Sequence, residues 1–451
     1  MNDTICAIST AVGAGAISII RLSGSEAIKI VSKLFAGRDL NKVESHTINY
    51  GKIVYKDQLI DEVLVSIMRG PKTFTTEDIV EINCHGGIAP TNKILEILLT
   101  NGCRLAEPGE YTKRAFLNGR IDLVEAEAIS DMISSKSEES RKLAMSHIDG
   151  RLSKIIKECR SVLLEVMANI EVNIDFPEYE DAELITHEVL KLKLSKIVDK
   201  IKSILNTAQE GKLIKEGLNI ALIGRPNVGK SSILNAFLEE NKAIVTDIAG
   251  TTRDIVEGRF LLNGIILNIT DTAGIRETDD IIEKIGVNKS KSFIDSSDLI
   301  ILVLNNNEEL TKEDLKLLND IKEKKNIIFI NKSDLESKIE KNNLKAFKVV
   351  TGNTTEEEGL GKLKNEIIEM FNLGKIQESD FTYLSNVRQI SLIKQALNYI
   401  IQALDDSDLG IPVDMIAIDI KNSWDCLGEI IGETYKDELL DELFSNFCLG
   451  K

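Results

Sequence analysis

No stretch of this 451-residue chain stays apolar for the length of a membrane-spanning helix, so a membrane protein is not expected. Pairs of cysteines at metal-ligand spacing are also missing. The six that are present, Cys6, Cys84, Cys103, Cys159, Cys426 and Cys448, are scattered through a chain large enough to fold without staples, and are read as reduced thiols of the cytoplasm. The four histidines, His46, His85, His147 and His187, form neither H-x3-H nor H-E-x-x-H, which argues against a zinc site. The mildly apolar start, Met1 to Ile20, lacks a basic leader because Asn2 and Asp3 precede it; a secretory signal is not expected. A basic excess is lacking too. The net charge is −17, which disfavours broad adhesion to nucleic acid and restricts any RNA contact to a local patch. The run Lys191, Lys193, Lys196, Lys200, Lys202 is the best local candidate for such a patch, although a solvated helix face is the favoured reading of it. Repeats and low-complexity segments are absent.

What is there is the composition of a globular protein, 43% hydrophobic and 28% charged. Its length suggests about three domains. Residues 1 to about 118 mix alternating apolar stretches (Ala16 to Leu22, Ile60 to Ile67, Asp78 to Cys84) with glycines and helical segments, which predicts a small α/β domain. From Leu123 to Ile174 apolar residues recur at helical spacing with no proline, stopping at the acidic turn Phe176 to Asp181; Leu190 to Ile204 resumes the pattern. From Leu218 short β-rich runs alternate with helical ones (Asn219 to Ile223, Ile265 to Ile269, Leu299 to Leu304, Asn326 to Ile330), the signature of a mostly parallel sheet. After Leu373 the pattern is helical again, through Val387 to Leu404 and Ile411 to Ile431. An insertion is the simplest topology: a β-rich domain lodged between two halves of a helical one.

The first β-rich run is followed by Gly224-Arg225-Pro226-Asn227-Val228-Gly229-Lys230-Ser231, which fits the phosphate loop G-x-x-x-x-G-K-[ST] and opens a helical stretch at Ser232. Its glycines let backbone N–H groups curl around phosphates, Lys230 neutralises β and γ charge, and the Ser231 hydroxyl ligates Mg²⁺. Three further elements follow in the order that GTP hydrolysis needs. Thr251-Thr252 supplies a threonine, taken as Thr252, to close over Mg²⁺ and the γ-phosphate. Asp271-Thr272-Ala273-Gly274 places a carboxylate near the metal and an amide near the γ-phosphate. Asn331-Lys332-Ser333-Asp334 reads the base: the Asp334 carboxylate accepts two hydrogen bonds from the N1–H and amine of guanine, which adenine does not offer, and Lys332 lies along the ring. A fifth, base-contacting loop is expected near Thr351-Gly352-Asn353. Ile275 stands where many GTPases carry a water-orienting glutamine, so another group must orient the water. The stretch Gly274 to Glu283 offers several carboxylates, and chemistry alone does not choose among them.

The phosphate loop with Ser232, the segment Ile244-Val245-Thr246-Asp247-Ile248-Ala249-Gly250-Thr251-Thr252-Arg253-Asp254, and the terminal Cys448-Leu449-Gly450-Lys451 together resemble the MnmE (TrmE) family of tRNA modification GTPases. So do three segments outside the GTPase motifs: Ile19 to Gly24, Glu81 to Gly87 and Arg114 to Leu123. The resemblance implies a multidomain α/β plus all-α protein: an N-terminal tetrahydrofolate-binding and dimerisation domain (1–118), a helical domain (119–215 and 375–451) and an inserted Ras-like P-loop GTPase domain (216–374). It implies K⁺ beside the phosphates, held by Asn227, Thr246, Ile248 and Thr251, where a fixed cation supplies the charge an arginine finger would bring. It puts the water-orienting role on Glu283, with Arg276 supporting that loop. A tetrahydrofolate derivative (5,10-methylene or 5-formyl) is implied at Arg21, Glu81, Arg120 and Lys451, Arg120 suited to a carboxylate and Glu81 to the donor edge of a pterin. The implied partners are a second copy, an FAD- and NADH-dependent MnmG-type protein completing a heterotetramer, and tRNA whose wobble uridine gains an aminomethyl or carboxymethylaminomethyl group. Cys448 invites a nucleophile reading, but with no histidine beside it in sequence it is read rather as a small buried hydrophobe, and Gly13-Ala14-Gly15 is read as a turn. A ribosome-assembly or regulatory GTPase switch is the rival reading; it would need an RNA-binding appendage, and no G-x-x-G clamp in a basic tail follows the GTPase motifs.

Overall fold

The computed structural model describes residues 3–175, 185–240, 258–271, 295, 297–354, 359–374, 383–435, 437–447 and 449–450. The chain divides into two compact units, one of residues 1–133, 147–199 and 391–451, the other of residues 134–146 and 200–390.

The first unit opens with β1 (Ile5–Ile8), β2 (Ile17–Ser23), α1 (Ala27–Leu34), β3 (Phe35–Ala36), β4 (Thr47–Tyr55), β5 (Gln58–Met68), β6 (Ile79–His85), α2 (Ile88–Thr100) and β7 (Arg104–Leu105). The strands form one sheet in the order β3-β4-β5-β6-β2-β1-β7, antiparallel except for the parallel β1/β7 pair. Alternation decides its two faces. Ile20, Leu22, Val63, Val65, Ile67, Val80 and Ile82 bury themselves against Ile28 and Val31 of α1 and Ile94, Ile97 and Leu98 of α2. Residues between them, Arg21, Glu81 and Asn83 among them, therefore lie on the opposite face. There α3 (Glu110–Leu117) sends Tyr111 into a small cluster with Ile5, Ala7, Ala106 and Phe74.

The helical part follows: α4 (Leu123–Ser134), α5 (Glu138–Ile148), α6 (Arg151–Asp175), α7 (His187–Asn206) and α8 (Ala208–Glu216). Apolar residues of α6 at helical spacing, Leu152, Ile156, Leu163, Val166 and Ile170, are buried, as the pattern predicts.

The second unit carries β8 (Leu218–Ile223), α9 (Lys230–Glu240), β9 (Gly258–Leu262), β10 (Ile265–Asp271), β11 (Leu299–Asn305), α10 (Lys312–Asp320), β12 (Asn326–Asn331), β13 (Val349–Thr351) and α11 (Gly361–Met370). Its sheet order is β13-β12-β11-β8-β10-β9, parallel throughout except for β9. β11 is buried at all seven positions, Leu299 to Asn305, the mark of a central parallel strand covered on both faces. One face packs Phe237 of α9 and Leu363 and Ile367 of α11, together with Leu143 of α5; the other packs Leu318 and Ile321 beside α10. The chain ends in α12 (Val387–Asp408), α13 (Val413–Ile431), which packs on α6, and α14 (Asp437–Ser445), which packs on α3. Among the described residues no helix is long and apolar enough to cross a membrane.

Candidate nucleotide site

Five parallel strands of the second unit end on the same side, and ligands of such sheets bind at their carboxyl ends. β8 stops at Ile223 and the chain must turn into α9 within six residues, Gly224 to Gly229. It does so through positive φ at Gly224 (144°), Asn227 (63°) and Gly229 (101°). A Cβ at Gly224 would stand 2.5 Å from the Val303 carbonyl, and one at Gly229 only 2.1 Å from Asn331 Nδ2, so both motif glycines are demanded by packing as well as by torsion. Val228 and Lys230 are buried. Lys230 donates from Nζ to the carbonyls of Gly224 and Arg225, both at 2.8 Å, which pulls the loop around the ammonium group. α9 begins at Lys230, so Ser231 and Ser232 occupy its first turn, where N–H groups without helical partners and the helix dipole favour an anion.

The motif expected to read the base, Asn331 to Asp334, sits two strands away. Asn331 closes β12 and is buried; its Nδ2 donates to the Val228 carbonyl at 3.0 Å and its Oδ1 accepts from the Thr354 amide at 3.3 Å. One side chain thus ties the phosphate loop, the base motif and the expected fifth loop together. Lys332 takes φ 59°, Ser333 N–H donates to the Gly352 carbonyl, and Gly352 N–H donates to the Ile330 carbonyl. Asp334 is exposed, while Thr351 ends β13 and Asn353 is buried. Asp271 ends β10, whose partner in register is Leu222 of β8, so its backbone lies at the same sheet edge as Gly224. Thr246, Asp247, Ile248, Ala249, Gly250, Thr251, Thr252, Thr272, Ala273, Gly274, Arg276 and Glu283 lie outside the described residues, as do Cys448 and Lys451.

Known proteins match the sequence of this chain along its whole length. Residues 4–120 match the family model described as GTP-binding protein TrmE N-terminus, and residues 123–448 that of the MnmE helical domain. A protein of Oceanobacillus iheyensis named tRNA modification GTPase MnmE is 52% identical, the alignment spanning 100% of this chain and 99% of that one. A Staphylococcus aureus protein of the same name is 51% identical over the same shares. The chain belongs to the MnmE family of tRNA modification GTPases. Among solved structures, the G domain of T. maritima FeoB is 30% identical and covers 34% of this chain and 97% of its own, with a TM-score of 0.26. Aquifex aeolicus Era bound to GDP and AlF4⁻ is 24% identical over 40% of this chain and 66% of its own, also with a TM-score of 0.26. Family membership sets aside the ribosome-assembly reading.

The second set of residues singled out by the MnmE resemblance lies on the face of the seven-stranded sheet that α3 partly covers. Arg21 and Glu81 face each other in register across β2 and β6, and Arg21 Nε donates to Glu81 Oε1 at 2.8 Å. Beneath them Tyr111, fully buried, donates its hydroxyl proton to the Arg21 carbonyl at 2.7 Å, and the Arg21 guanidinium stands 5.8 Å from the tyrosine ring centroid. Phe74 packs against the same cluster and carries Arg120 above its ring at 5.0 Å, with Arg120 Nη1 donating to the Phe74 carbonyl. The C-terminal tail comes back to this place: the Gly450 carbonyl accepts from Ser9 Oγ at 3.1 Å and from Arg21 Nη1 at 3.3 Å. Arg21 and Arg120 thus each stand over a ring of one aromatic cluster, Glu81 pairs with Arg21, and Gly450, the residue before Lys451, bonds to Arg21 as well. Phe74 and Tyr111 escaped the sequence reading because aromatic residues in apolar surroundings carry no ligand signal of their own.

Of the lysine run, Lys191 is paired with Asp408, and Lys193 with Glu165 at 3.0 Å. Lys196, Lys200 and Lys202 are exposed.

Proposed function

We propose that the chain hydrolyses GTP in a potassium-dependent manner within a complex that modifies the wobble uridine of tRNA. The observation that carries this reading is the bond from Asn331 to the Val228 carbonyl, which locks a guanine-selecting motif to a phosphate loop in a chain of the MnmE family. In this reading Lys230 and the amides of Asn227 to Ser232 hold the phosphates, Ser231 and Thr252 the Mg²⁺, and Asp334 and Lys332 the base, with Thr351 to Asn353 flanking it. K⁺, held by Asn227, Thr246, Ile248 and Thr251, would supply positive charge at the β/γ bridge, a contribution that an arginine finger makes at about 10³ to 10⁵ in rate. Glu283 orients the attacking water and Arg276 supports it. Turnover in KCl should exceed turnover in NaCl at equal ionic strength; equal rates would remove the cation from the mechanism. Glu283→Ala should lower kcat with little change in nucleotide affinity.

The residues on the α3 face of the sheet suit a reduced folate: a carboxylate in Glu81 for an amine and ring N–H, guanidiniums at Arg21 and Arg120 for carboxylates, and aromatic rings for a flat ring to pack on. The folate would supply a one-carbon unit. The proposed organisation is a homodimer joined through residues 1–118, with a helical domain of 119–215 and 375–451 whose sequence is interrupted by the GTPase domain of 216–374, acting in the cytoplasm with an FAD- and NADH-dependent MnmG-type partner. Titration with 5-formyl-tetrahydrofolate should show binding that Glu81→Ala abolishes. Absence of binding to the parent protein would sink the folate reading and leave the GTPase reading standing.

A further inference from the structure

The second position of the phosphate loop, Arg225, is tethered in a way that the phosphate chemistry does not call for. Its carbonyl accepts from Lys230 Nζ at 2.8 Å, so the placing of this peptide bears directly on the lysine. Its guanidinium points the other way, into two carboxylates: Nε to Asp314 at 2.9 Å and Nη2 to Glu308 at 2.7 Å. Asp314 is almost wholly buried, 1% exposed, and is already committed as the third residue of the α10 capping box, accepting from the Thr311 amide and hydroxyl. A carboxylate so fixed is a rigid anchor rather than a floating surface partner.

Glu308 continues the chain of contacts. It accepts from Asn305 Nδ2 at 2.6 Å, and the next residue, Asn306, donates from its amide to the Asn331 carbonyl at 3.0 Å and from Nδ2 to the Leu335 carbonyl at 2.7 Å. Lys338 N–H in turn donates to the Asn306 carbonyl. The loop after β11 thus grips the phosphate loop at Arg225 with one end and brackets Lys332 to Asp334 with the other. The electrostatics agree: burial disfavours the Arg225 charge, but the two carboxylates outweigh it and raise its pKa, and Arg225 holds the Glu308 carboxyl below the ordinary range.

We infer that Arg225 is a positioning residue for Lys230, and that the Arg225–Asp314–Glu308 cluster couples the distance between phosphate loop and base loop to both halves of nucleotide binding. Arg225 touches no phosphate in this role; it acts through its own carbonyl. Bidentate guanidinium geometry matters, because lysine supplies the charge but not the fork.

The test uses the full-length protein and a fluorescent GTP analogue, with thermal unfolding measured without nucleotide. Arg225→Ala should weaken analogue binding about tenfold or more and lower kcat, with some fall in the apo unfolding midpoint because the buried Asp314 carboxylate loses its cation, and Arg225→Lys should recover more of the stability than of the affinity. Glu308→Gln should weaken binding by a smaller factor, since its side chain is 48% exposed, and the double variant with Arg225→Ala should be no worse than Arg225→Ala alone. Parent-like affinity and kcat in Arg225→Ala would overturn the inference, as would strictly additive effects or a loss of stability with affinity unchanged.

Discussion

Gly229 shows how tightly single residues constrain this nucleotide site. An alanine there would need a positive φ that costs of order 1–3 kcal/mol and would also push Asn331 Nδ2 off the Val228 carbonyl. Gly229→Ala should therefore lose GTP binding and lower the melting temperature together, as calorimetry and nucleotide titration would reveal. Far from that site, Glu110 offers a pH test. Burial pushes its carboxyl up, but Arg104, the Glu107 amide and Arg114 outweigh burial and hold it below the ordinary range. A folded pKa below the unfolded one stabilises at neutral pH and loses that contribution as pH falls through the folded value. Glu110→Gln should lower stability at pH 7 and flatten the acid limb of the unfolding curve below about pH 4.3. At this scale the turn from β8 into α9 was legible, because glycines at fixed spacing announce the positive-φ turn found at Gly224 and Gly229. Arg225 was not singled out: nothing in its immediate neighbours reveals carboxylates 83 and 89 residues away.

Elements were legible wherever one periodicity ran unbroken. β11 and β12 announced themselves as apolar runs because both faces of a central parallel strand are covered, and α6 because its buried positions repeat at helical spacing. Periodicity gives the buried face of an element but not what buries it. Leu143 of α5 belongs by pattern to the helices that surround it, yet it packs into the core of the six-stranded sheet with Leu218 and Ile265. The phosphate-loop helix is held by a comparable contact: Phe237 of α9 stacks on Phe260 of β9 at 4.5 Å, both fully buried. Phe237→Ala should destabilise the unit by about 3–5 kcal/mol, a loss readable in chemical denaturation.

The whole molecule brings residues from opposite ends of the chain to one surface. Ser9, Arg21 and Gly450 meet although more than 400 positions separate the last from the others, and no local pattern foretells such a meeting. Deleting residues 449–451 should abolish folate binding and spare GTP turnover if the two chemistries occupy separate sites; loss of both would refute that separation. The most direct test lies at the base motif. Xanthine replaces the amine of guanine with a carbonyl, which an amide can face and a carboxylate cannot. Asp334→Asn should therefore exchange a preference for GTP over xanthosine triphosphate for the reverse, measured as kcat/KM for each nucleotide. Undiminished preference for GTP in that variant would contradict a guanine-reading role for Asp334 and the nucleotide site built around it.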